Sequence, residues 1–228
     1  HARLDAFLPG GGWPLGALTE LLAERPGLGE FHLLLPLLSS ITPVPDRRRA
    51  PLRGAGWAIL VDPPWMPYPH ALHGHGVDLR RLLLVRTPDA KQSLWACEQA
   101  LRGVRGGTVL IWLQRQRQQA AFSHLRRLQL AARAGRKSAF VFRAASAAGQ
   151  SSPASLRLHL ARERGGLRIT MLKGRGAEPH RSLLLPRLEH PLPERHAPGV
   201  AAATVVPLAG GPARSGRMES GEGEACRS

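Results

Sequence analysis

The chain has little cysteine, half as much acid as base, and no long apolar run. Its two cysteines, Cys97 and Cys226, are too few for a disulfide framework and lack the spacing of a zinc site, so both are expected as free thiols in a reducing cytoplasm. No stretch approaches the ~20 apolar residues that a membrane-crossing helix needs, because Arg or Pro interrupts each one. A soluble protein with no membrane partner is the expectation. The chain also lacks an initiating methionine: it opens on His1 and runs straight into the apolar phrase Leu4-Asp-Ala-Phe-Leu8, so an N-terminal piece is expected to be missing. There is no internal repeat.

What is abundant is arginine. Thirty-two basic residues against sixteen acidic give a formal charge of +16, which suits phosphate or an acidic partner. A GC-rich genome would inflate Arg, Ala, Gly and Pro together, and charge alone does not locate a binding face.

Short apolar runs at 17–22, 57–62, 82–85, 108–113 and 138–142 predict buried strands. Between them, residues 31–39 predict a buried helix with Pro36 near its start or at a kink, and 89–102 and 120–133 predict amphipathic helices. Strands alternating with helices imply a mostly parallel α/β sheet. The pattern then changes to period two: Leu156, Leu158 and Leu160, and after Gly165-Gly166 the set Leu167, Ile169 and Met171, a hairpin signature. Residues 182–185 add a last strand. The expected fold is an α/β core over 1–188 with a C-terminal antiparallel hairpin, followed by a disordered Pro/Gly/Ala-rich tail over 189–228.

The phrases Gly11-Gly-Trp-Pro-Leu-Gly16 and Gly76-Val-Asp-Leu-Arg-Arg-Leu-Leu-Leu84 resemble bacterial RecA. More closely, Leu8-Pro-Gly-Gly-Gly-Trp-Pro-Leu-Gly-Ala-Leu-Thr-Glu-Leu-Leu22 and Leu82-Leu-Leu-Val-Arg86 resemble ImuA, a RecA-related family of SOS mutagenesis cassettes. The resemblance covers residues 4 to 188. It implies a RecA-like fold, an ImuB-type polymerase-like partner and an error-prone replicative polymerase. Possible contacts with RecA and single-stranded DNA follow, at damage sites on the cytoplasmic nucleoid.

A phosphate-binding loop needs backbone amides, a Lys for the terminal phosphates and a Ser or Thr hydroxyl for magnesium. The resemblance places Gly27 and Gly29 in that loop, with Glu30 where the Lys belongs and Phe31 where the hydroxyl belongs. Pro64 stands where an acid helps activate water, with Asp62 two residues earlier, and Trp112-Leu113 stands where an acid supports magnesium. These losses predict a degenerate nucleotide site: no catalytic residue and no cofactor.

His70, His73 and His75 have no cysteine or second cluster beside them, so no metal is expected. For nucleic acid, Arg115 and Arg117 follow the strand that in RecA leads to the first DNA loop, backed by Arg126, Arg127, Arg133, Arg136 and Lys137; a solvated basic helix is the plainer alternative. Arg143 opens the stretch in the place of the second DNA loop, which has no aromatic residue to stack on bases. Lys173 and Arg175 follow the hairpin where RecA contacts its neighbour, and are interface candidates. The RecA N-terminal docking helix is expected to be absent or truncated. The resulting expectation is a non-catalytic scaffold of translesion synthesis. Its alternatives are a SulA-like inhibitor of cell division and a DNA-stimulated ATPase with unconventional phosphate contacts.

Overall fold

A computed structural model describes residues 1–44, 55–103, 106–113, 121–186 and 204–207. They form one nine-stranded sheet. In chain order the strands are β1 Leu18–Ala23, β2 Trp57–Val61, β3 Leu82–Arg86, β4 Gly107–Trp112, β5 Ser138–Ala144, β6 Leu156–Glu163, β7 Gly166–Gly174, β8 Ser182–Pro186 and β9 Thr204–Pro207. Their order across the sheet is β8-β7-β6-β1-β5-β4-β2-β3-β9. From β6 to β9 every neighbouring pair is parallel, and β7 runs against both β6 and β8. The protein is therefore mixed α/β with a mostly parallel sheet and an antiparallel end.

Two connections, β1 to β2 and β2 to β3, lead toward one edge of the sheet, and β3 to β4 and β4 to β5 lead back. Right-handed crossovers then put their helices on opposite faces, and two separate cores follow. On one face α1 Ala2–Phe7, α2 Leu35–Ile41 and α3 Pro69–Gly74 bury Leu4, Leu38 and Leu72 on Leu21, Leu60 and Phe140. On the other, α4 Ala90–Gly103 and α5 Phe122–Gly135 bury Cys97, Leu101, Leu125 and Leu128 on Leu18, Ile59 and Val141. Alternation along each strand sends successive side chains to opposite cores, which is why these strands read as unbroken apolar runs. Burial, with Glu98 adding to it, raises the pKa of the Cys97 thiol well above the ordinary range, leaving it a small inert apolar group.

Pro36 sits in the first turn of α2, where its missing N–H costs nothing, after a short 3-10 turn over Glu30–Leu33. Three elements lie outside the sequence reading. Residues 69–74, expected as a histidine-bearing loop, form α3, with Pro69 at its first turn. Residues 2–7 form a short helix that buries Leu4. Within the expected disordered tail, Thr204–Pro207 pairs with β3 as an edge strand; residues 187–203 and 208–228 lie outside the described residues. No described helix is long and apolar enough to cross a membrane.

Two buried charges close gaps in this frame. The Lys137 Nζ donates to the carbonyls of Ala100 and Leu101, 3.0 and 2.8 Å away, capping the C-terminal turn of α4. Burial holds its ammonium below the ordinary lysine range. Asp78 caps the 3-10 turn Leu79–Arg81 by accepting the Arg80 N–H at 3.1 Å. Burial raises its carboxyl, but the hydrogen bonds and charge of Arg80 outweigh that and hold it below its ordinary 3.8. A depressed acid stabilises the fold above its unfolded pKa and stops doing so as pH falls through the folded value. Asp78→Ala is thus expected to cost about 1 kcal/mol at pH 7. In urea melts the difference from wild type should shrink as the pH is taken below 3.8.

Candidate functional site

Open α/β sheets take ligands beyond the carboxyl ends of their strands, and this one has a cavity of about 540 Å³ there. It is bounded by the loop after β1, the Pro63–Pro67 segment after β2, Trp112 at the end of β4, the β6–β7 turn and the end of β8. Apolar groups make up most of its wall, among them Leu4, Leu33, Trp65, Met66, Trp112 and Leu167.

The glycine loop shows why its residues are what they are. Gly27 and Gly29 have φ of +87° and +104°, the left-handed region that favours glycine. A Cβ at Gly27 would also lie 3.0 Å from the Trp65 ring. Glu30 then turns back on the loop: its Oε1 accepts the Gly27 N–H at 2.7 Å. The loop amide that could meet a phosphate oxygen meets the protein's own carboxylate. Glu30 is 4% exposed, and its Oε2 has no hydrogen-bond partner among the described residues. Beside it Phe31 packs on Trp112 with ring centres 6.2 Å apart, and Trp112 stacks on Phe142 at 4.4 Å and 6°. Three aromatic rings, Phe31 tilted on Trp112 and Trp112 stacked on Phe142, therefore line the side of the loop.

Asp62 is engaged elsewhere. With φ of +51° it ends β2 and accepts the Thr87 N–H at 2.8 Å and the Ser93 hydroxyl at 2.6 Å, with the Thr87 hydroxyl as a third donor. Oδ1 thus ties the end of β2 to Thr87 and Oδ2 ties it to Thr87 and to Ser93 in the first turn of α4, a structural role. Pro64 lines the cavity and brings no proton acceptor on its side chain.

The expected nucleic-acid residues divide. Arg115 and Arg117 lie outside the described residues. Arg126 is exposed on α5, and the spacing of Phe122, Arg126, Leu130 and Arg133 places them on one outward stripe. Arg127 pairs with Glu98 at 2.5 Å, and Arg102 shares that carboxylate at 2.8 Å, joining α4 to α5. Lys137 is a buried helix cap, not a phosphate contact.

Arg143 is a correction of another kind. It is 4% exposed and its Nη1 lies 3.1 Å from Glu20 Oε1. The Nε of Arg157 holds the other oxygen at 2.8 Å, and Glu20 itself has no exposure. The Ser152 hydroxyl donates to Glu20 Oε1 at 2.7 Å, and Arg157 also donates to the carbonyls of Ala147 and Ala148. This Arg-Glu-Arg cluster pins the segment between β5 and β6 across the sheet. Arg143 is thus a core residue, closed to phosphate.

Lys173 and Arg175 are exposed at the end of β7, which pairs with the start of β6. That is the sheet margin opposite the cavity. Lys173 Nζ donates to the Ser152 carbonyl at 2.9 Å. Among the described residues no group of three or more His, Cys, Asp or Glu could hold a metal ion.

Compared with known proteins, the chain matches no family model and no curated protein.

Sequence reasoning missed Trp65 and Met66 at the cavity rim and the Glu20–Arg157 pair. A signal for the pair existed: Glu20 interrupts an otherwise apolar strand, and a charge there needs a partner.

Proposed function

We propose that this protein is a non-catalytic RecA-like accessory factor of SOS-induced translesion synthesis. In this reading it is an ImuA-type scaffold that holds an ImuB-type polymerase-like partner and an error-prone replicative polymerase together at damaged DNA in the bacterial cytoplasm. The observation that carries the non-catalytic half is the glycine loop at the carboxyl ends of the strands, filled by Glu30 and flanked by the Phe31–Trp112 stack. Engagement of Asp62 by three donors weighs against the DNA-stimulated ATPase alternative. The RecA-like half is supported by a parallel core with an antiparallel end, together with the ImuA-like phrases around residues 8–22 and 82–86. A SulA-like inhibitor would instead bind the tubulin-like division protein and cause filamentation on expression.

The scaffold reading is tested by pull-down of an ImuB-type partner on the full-length protein, and failure to retain it overturns the reading. A second measurement addresses DNA. Binding to a short oligothymidylate at several salt concentrations should show log K falling with log salt by about 0.7 for each phosphate neutralised. Arg126→Ala together with Arg133→Ala should reduce that slope by about 1.4 if the α5 stripe lies on the strand. An unchanged slope assigns the contacts to other residues.

A further inference from the structure

The cavity pairs two features: an aromatic, largely apolar wall and a deeply buried carboxylate with one oxygen unsatisfied among the described residues. Glu30 Oε1 is held by the Gly27 N–H, whereas Oε2 is buried and has no hydrogen-bond partner among the described residues. A buried acceptor left in this state is costly, and the missing partner must be a donor. An anion fits badly beside Glu30, and the other charged side chains on the wall, Arg162 and Glu163 at the β6–β7 turn, offset each other. A plain apolar group would fill the cavity but leave Oε2 as it is.

We propose that this cavity is a receptor for a guanidinium or amidinium group, that of an arginine side chain presented by a partner polypeptide. A planar cation supplies the donor that Oε2 lacks, and its flat, weakly hydrated face suits the aromatic rings beside it. The stem of an arginine is itself apolar and matches the rest of the wall. Trp65 rests against Gly27, and 58% of that residue is exposed. The indole therefore stands at the cavity rim beside the loop that holds Glu30, with a face free to meet the cation. The site is the electrostatic inverse of the phosphate loop it resembles. The proposal stands on the cavity alone and does not depend on a role in translesion synthesis.

Benzamidinium is a suitable probe, with benzamide as its neutral counterpart and a short acetylated peptide carrying one arginine between leucines as the polypeptide form. Binding is followed by tryptophan fluorescence, to which Trp65 and Trp112 on the wall report, and by calorimetry on the full chain. Benzamidinium and the peptide are expected to bind, with benzamide at least about tenfold weaker, the worth of one hydrogen bond to a charged group. Glu30→Gln should remove that preference while leaving the thermal melt intact. Trp65→Ala, at an exposed position, should weaken benzamidinium severalfold without touching the core. The proposal is overturned if benzamidinium does not bind, if benzamide binds as well, or if Glu30→Gln keeps the preference for the cation. Binding of benzamidinium without the peptide overturns the polypeptide source and leaves a small free cation as the ligand. Should Glu30→Gln fail to fold, the benzamidinium-to-benzamide ratio on wild type and the Trp65→Ala response decide the matter.

Discussion

Replacing Glu20 with alanine is expected to destabilise the fold by about 3–5 kcal/mol, the usual cost of removing one partner from a buried ion pair. The loss is large because one carboxylate serves two buried guanidinium groups. Arg143 and Arg157 are 4% and 7% exposed, so each would lose its carboxylate partner while staying buried. The Ser152 hydroxyl would also lose its acceptor. Against a typical domain stability of about 5–15 kcal/mol, such a change removes a fifth of the total at the high end and all of it at the low end. Urea unfolding of Glu20→Ala and Arg157→Ala should show similar losses, while Arg126→Ala on the exposed face of α5 should stay within about 0.5 kcal/mol of wild type. A double-mutant cycle between positions 20 and 157 should show strong coupling, because the two side chains meet directly. Equal, small effects at positions 20, 157 and 126 would mean that the cluster is solvated in solution.

Magnesium-ATP at about millimolar concentration is expected to leave the protein unbound in calorimetry, with no turnover in the presence of single-stranded DNA. A carboxylate about 4 Å from a phosphate charge is repelled by about 4 kcal/mol at an effective dielectric of 20. That is about a thousandfold in affinity, before the absent lysine is counted. The geometry adds a second obstacle, since the loop amide of Gly27 is already occupied by Glu30. Glu30→Lys alone should not rescue binding in the ordinary mode: the aromatic stack of Phe31, Trp112 and Phe142 offers no oxygen to a magnesium ion. Micromolar binding by the wild type would require Glu30 to leave the loop, and turnover abolished by Asp62→Ala but insensitive to Glu30→Lys would restore the ATPase alternative.

The central strands were legible because burial on both faces leaves an unbroken apolar run, and the hairpin because burial on alternate positions leaves a period of two. The pair Gly165-Gly166 marked its turn. α3 escaped because a six-residue helix holding Pro69, His70 and His73 has too few apolar positions to show a helical period. β9 escaped because four residues in a Pro- and Ala-rich stretch form a strand only when the edge of β3 is there to receive them. At the site, Glu30 and Phe31 stood out as wrong for phosphate, but a sequence does not show which way a carboxylate turns. Arg143 and Lys137 looked like surface cations for the same reason: their partners are 123 and 36 residues away, and only folding brings them together.

The position of β1 has a consequence in time. It lies in the middle of the sheet, but both its neighbours, β5 and β6, belong to the second half of the described core. Glu20 is made 137 residues before Arg157, and at about 5–20 residues per second that is a delay of roughly 7–27 s on the ribosome. Until β5 and its Arg143 arrive, 123 residues after Glu20, this strand with a carboxylate near its centre has no partner on either side, and the β6 side stays open longer still. The nascent chain must be shielded or kept from pairing wrongly until its last third arrives, so the yield of this protein should depend on the speed of translation and on chaperones more than its final stability would suggest.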